Sequence, residues 1–154
     1  MKKIYKEGDI FLVPLRTGGY GIGMIARMHK HILLGYFWKL KFYEAPAHLN
    51  ITSLKKSDAF WVKQFGSRGF YEGTWKVIAH HPLFSRGTWE VPRFLREVAP
   101  FGKYLVSYND KLEETENIPV GDSFYGDYPR DGVAGYGSVE ITLTKNLEEA
   151  PFDY

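Results

Sequence analysis

Short apolar runs separated by glycine-rich turns dominate the first half of the chain. Asp9–Leu15 (DIFLVPL) ends near Thr17-Gly18-Gly19, and Tyr20–Met28 (YGIGMIARM) returns from it, which predicts a β-hairpin. Pro14 cannot donate to a ladder, so it marks an edge or a bulge of the first strand. Gly21 and Gly23 alternate with Tyr20, Ile22 and Met24 and leave one face bare. That suits a strongly bent strand closing a small barrel, or close approach of another backbone. Leu33–Tyr43 predicts a third strand, its period of two clearest in Trp38-Lys39-Leu40-Lys41-Phe42. Asp58–Phe65 and Gly73–Ala79 predict two more, the latter stopped by His80-His81-Pro82; its alternation puts Trp75, Val77 and Ala79 on one face, with Trp75 in the core. Phe94-Leu95 and Tyr104–Ser107 predict shorter strands. Pro46–Lys56 lacks alternation and suits a short helix.

The second half is less regular. Residues 108–132 are turn-rich and predict a long loop, a kind of segment that is often functional. In Ser138–Leu147 the apolar residues fit a strand (Val139, Ile141, Leu143) and also a helix face (Val139, Leu143, Leu147) with Ser138 as N-cap; the helix is preferred. No internal repeat or linker breaks the chain, so residues 1–154 are read as a single domain. The expected fold class is α+β, predominantly β: a small, strongly bent antiparallel sheet or partly open barrel with one or two short helices.

Composition supports that picture and narrows the setting. Aromatic residues make up 17% of the chain and glycine supplies sixteen positions, as short strands and tight turns require. No cysteine is present, which rules out disulfides and thiolate metal sites and fits a reducing, cytoplasmic environment. Met1-Lys2-Lys3-Ile4 leads into no apolar leader segment, and no apolar stretch is long enough to span a membrane as a helix. The net charge of +2 hides an asymmetry: residues 1–77 carry thirteen Lys/Arg against five Asp/Glu, residues 78–154 seven against thirteen. Either the halves interleave and neutralise one another, or the imbalance marks an electrostatic partner surface.

The candidate chemistry is sparse. Gly21-Ile22-Gly23-Met24-Ile25-Ala26 has the letters of a dinucleotide turn, but it lies in a strand-like stretch with no following helix. His29-Lys30-His31 would put two imidazoles on one face of a strand, yet no third histidine stands at ligand spacing. Gly121-Asp122-Ser123 has no histidine base after it, so Ser123 is read as a turn residue. Arg68-Gly69-Phe70-Tyr71 begins like an RNA-binding octamer and departs from it at Tyr71-Glu72. The 108–132 stretch carries seven Asp/Glu against Lys111 and Arg130, with aromatics among them. That mixture is interface chemistry, and Tyr108, Asp110, Glu113, Glu114, Glu116, Phe124 and Tyr125 are the expected partner-binding residues.

Three stretches together resemble the immunity protein 26 family of bacterial polymorphic-toxin systems. They are Gly8–Leu15 with the following Gly19–Gly23, then Gly73-Thr74-Trp75-Lys76-Val77-Ile78, then Asp131–Gly137. The resemblance implies a small β-rich domain that binds and neutralises a cognate toxin. Together with the composition and the sparse motifs, the expectation is a non-enzymatic, cytoplasmic protein with a toxin rather than nucleic acid or a membrane as partner, and with no cofactor or bound metal. It carries over no catalytic residue, since the matching positions are structural. The alternatives are a small metal-dependent hydrolase of the phosphotriesterase type, or a nucleic-acid-binding regulatory module.

Overall fold

The apolar runs of the first half pair in chain order. In the computed structural model, which describes residues 4–124 and 126–153, β1 (Asp9–Pro14), β2 (Tyr20–His29) and β3 (Ile32–Phe42) form an antiparallel meander. β4 (Trp61–Gly66) adds to β3, and after a single helical turn, α1 (Arg68–Tyr71), β5 (Lys76–His80) adds to the far side of β1. β6 (Phe94–Val98), β7 (Gly102–Tyr108) and β8 (Glu114–Val120) make a second, three-stranded antiparallel sheet. The two-residue β9 (Val133–Ala134), the helix α2 (Tyr136–Asn146) and β10 (Phe152–Asp153) complete the chain. The first sheet runs β5-β1-β2-β3-β4-β9, with β10 parallel to the end of β3. The fold is α+β and predominantly β, and neither sheet closes into a barrel.

Both faces of the first sheet are covered, which explains why its strands read as continuous apolar runs rather than clean alternation. On one face α2 lays Val139, Leu143 and Leu147 over Phe11, Phe37, Phe65 and Trp75. On the other, Ile10, Met24, Tyr36 and Trp38 meet Trp89 and Phe94 from the second sheet and its approach. Side chains fill the bare glycine face of β2: Leu15, Leu143 and Leu147 lie over Gly21, and the Phe11 and Phe37 rings over Gly23, so of the two expected causes neither barrel closure nor backbone approach applies. A Cβ on Gly23 would lie 2.7 Å from the Phe11 ring and one on Gly35 2.6 Å from Phe65. Register shifts in the β2–β3 ladder at Tyr20/Ile22 and Ile25/Arg27 supply irregularities where a long pair can bend. Pro14 pairs with Tyr20 beyond Leu12, where the β5 register ends, so its missing N–H interrupts no ladder on that side.

Several boundaries differ from the sequence expectation. Pro46–Lys56 holds no α-helix; two 3₁₀ turns, Ile51–Ser53 and Lys56–Asp58, occupy this region. Residues 108–132 are not one loop, because Glu114–Val120 is a strand that pairs with β7. Its side chains are nearly all exposed, so no burial pattern announces it. Helix α2 is capped by Gly135 rather than Ser138, since the chain enters it from β9. Trp75 is buried as expected, but ahead of β5, and Val77 is exposed rather than sharing its face.

The stretch from Pro129 to Ala134 joins the two sheets at their edges. Leu95 on β6 donates its N–H to Pro129 O (2.8 Å) and accepts from the N–H of Asp131 (2.9 Å). Gly132 then turns at φ +114, a region natural to glycine, and Val133-Ala134 pairs in parallel with Gln64-Phe65.

Candidate functional site

The acidic residues converge on the β7–β8 hairpin, whose tip is shaped by Asn109. Its Oδ1 accepts the N–H groups of Lys111 (2.9 Å) and Glu113 (3.0 Å), and its own N–H donates to Glu113 O (3.0 Å). This side-chain turn lets Leu112 adopt φ +59 and pack toward the apolar layer beneath. Tyr108, Asp110, Glu113, Glu114 and Glu116 thereby come together on one hairpin.

Arginines hold that hairpin from below. Arg27, on β2, has a side chain only 2% exposed, and its Nε donates to Asp110 Oδ1 at 2.9 Å. Its remaining N–H groups reach the carbonyls of Ala26, Trp89 (3.0 Å) and Arg86 (3.1 Å), so the buried cation is surrounded by acceptors. Arg86 lies 3.6 Å from Asp110 and also forks onto Glu7 at 2.8 and 2.9 Å. The hydrogen bond from Arg27, reinforced by the two positive charges, holds the Asp110 carboxyl below the usual carboxylate range.

A second clamp grips the start of β8. Arg96 Nε donates to Asp131 Oδ2 and its NH2 to Glu114 Oε1, both at 2.7 Å. Tyr108 donates its hydroxyl to Asp131, and its ring packs edge-on against Phe94 at 5.6 Å. Burial, then the bond to Asp131, push the Tyr108 phenol up to about 12. Asp110 and Glu114 are therefore engaged within the fold. Glu113 accepts only from Asn109 Nδ2 (3.0 Å), and Glu116 forms no ion pair among the described residues.

Phe124 occupies a different neighbourhood. It stacks on Tyr128, and the pair flanks a cavity of about 480 Å³ with Leu95, Lys103 and Arg130. Tyr125, also expected at the interface, lies outside the described residues. Sequence reasoning did not single out Arg27 or Arg96. The charge asymmetry was a signal for the first, since Arg27–Asp110, like Arg16–Glu140 (3.2 Å), pairs the basic half with the acidic half. Arg96 lies in the acidic half with its own partners, where no such signal exists.

The other motifs resolve into structure. Gly21–Ala26 stays within β2, and no helix follows it. His29 ends β2 and His31 lies in the turn after it, where Lys30 has φ +56, so the motif is a basic turn at a strand end and not a pair of imidazoles on one strand face. His31 meets the Tyr71 ring edge-on at 6.4 Å. Among the described residues no three or more His, Cys, Asp or Glu side chains gather as a metal site. Arg68–Tyr71 is helix α1, with Phe70 buried in the core, and not a base-stacking strand.

The profile of the family described as Immunity protein 26 matches residues 6–99. The chain belongs to the immunity protein 26 family. No curated protein and no solved structure matches it. The immunity protein 26 match runs from the segment before β1 through β6, so it covers the β1–β5 core and includes the Trp75 block. The β7–β8 hairpin, the Asp131–Gly137 stretch and α2 lie beyond it. No helix among the described residues is long and apolar enough to cross a membrane.

Proposed function

We propose that this chain is an immunity protein that binds a cognate toxin domain and neutralises it by occlusion, without catalysis. Membership of the immunity protein 26 family is the observation that carries the reading. The hairpin adds support, because it offers exposed carboxylates on a backbone fixed at two points by Arg27 and Arg96. A preordered surface loses less entropy on docking than a flexible loop does. Tyr108, Glu113, Glu114 and Glu116, with Asp110 at the tip, form the surface we assign to the toxin. Phe124 would extend it toward Leu95.

Co-expression is the direct test. The toxin domain encoded beside this chain should arrest growth alone and spare cells that also produce the chain. A Glu113→Lys/Glu116→Lys variant should protect less, with slower association at low salt. Growth arrest undiminished by the wild-type chain would reject the reading.

A further inference from the structure

The second sheet ends in an open strand. β8 pairs only with β7, and six of its seven residues are exposed, so nothing among the described residues covers its outer edge. Its geometry shows which amides point outward. Pro119 lies opposite Tyr104 and has no N–H, which a ladder tolerates where that nitrogen faces away from the partner strand. Direction alternates along a strand, so Asn117, opposite Val106 in the same unbroken register, aims its N–H outward as well. The edge thus offers the N–H and C=O of Asn117 and the C=O of Pro119 as outward backbone groups, between Glu116 and Val120.

We infer that this edge receives an extended, lysine- or arginine-bearing segment of the toxin as an added strand. The inference rests on the toxin-binding reading and specifies its geometry. Charge selects the occupant. Glu113 and Glu116 flank the open backbone with no Lys or Arg partner among the described residues, while Arg96 already neutralises Glu114. A basic strand would find carboxylates beside the main-chain bonds it forms; a second copy of this chain would bring an equally acidic strand and be repelled. Ile118, 37% exposed on the same strand, supplies apolar area next to them.

The test uses the full chain and the toxin domain encoded beside it, inactivated by mutation. Hydrogen exchange should show the Asn117 amide protected when the toxin domain is added. Asn117→Pro removes an outward donor while sparing the β7 ladder and should weaken binding by about tenfold or more. Glu116→Lys should slow association and flatten its salt dependence. Circular dichroism and melting report whether the variants fold; if Asn117→Pro does not, amide exchange and Glu116→Lys decide. Unchanged exchange in β8, with tight binding by wild type and Glu116→Lys alike, overturns the edge and leaves the toxin reading standing. Light scattering that shows a wild-type dimer lost in Asn117→Pro, with toxin affinity intact, assigns the edge to a second copy and also overturns it. A wild-type chain that does not bind the toxin domain rejects both readings.

Discussion

Asp110 shows how a residue can be both conspicuous in sequence and misleading there. Read as a free carboxylate, it is the acceptor for a guanidinium buried beneath the hairpin. Its folded pKa is lowered, so its stabilising contribution is present above the ordinary carboxylate value, about 3.9, and is lost as pH falls through the depressed one. Asp110→Asn should therefore flatten the acid limb of a stability-versus-pH curve measured by urea unfolding. At neutral pH it should cost no more than about 1–2 kcal/mol, since solvent screens the half-exposed carboxylate. Trp75 is the opposite case, legible as core from its place among apolar residues. What the sequence could not convey is the reason: its ring stacks on Phe11 at 5.7 Å and its Nε1 donates to Glu140 (2.8 Å), which also receives Arg16. Trp75→Ala removes the packing and leaves Glu140 with one partner fewer. Chemical denaturation should register a loss of about 3–5 kcal/mol, if the variant folds at all.

Elements were readable where burial imposes a period and obscure where it does not. Residues 138–147 fit two periods equally, and packing separates them: Val139, Leu143 and Leu147 are fully buried while Ile141 is 54% exposed. β8 had no such signal, because a strand solvated on both faces is defined by its pairing alone. β2 and β3 gave a signal of a different kind in their glycines. Gly35→Ala would press a methyl group into the Phe65 ring and should destabilise by about 1–3 kcal/mol. Gly66→Ala, one strand away, meets nothing within 4 Å and should shift thermal unfolding little, within about 0.5 kcal/mol. Similar losses at both positions would show that strand propensity, and not the ring contact, decides where glycine is required.

At the scale of the whole molecule, charge does two jobs at once. Part of the basic half neutralises the acidic half across the fold, through Arg27 and Arg16, while Glu113 and Glu116, without an ion pair among the described residues, lie along the hairpin. Association with a basic toxin should accordingly slow as salt rises, whereas the melting temperature of the free chain should change far less, because the buried Arg27 guanidinium is also held by three backbone carbonyls, contacts that salt screens little. Stopped-flow rates and melting curves across a salt series separate the two effects. The segment that stitches the sheets together, Pro129 to Ala134, has a further consequence in time. A chain emerging from the ribosome can pair β1 through β5 early, but the covering helix and the stitch arrive only near its end. Until then Phe11, Phe37, Phe65 and Trp75 present an aromatic face to water. A nascent chain stalled after Val120 should thus engage chaperones or aggregate, and extension of the stalled chain through β10 should relieve this, the domain locking only once α2 has left the ribosome.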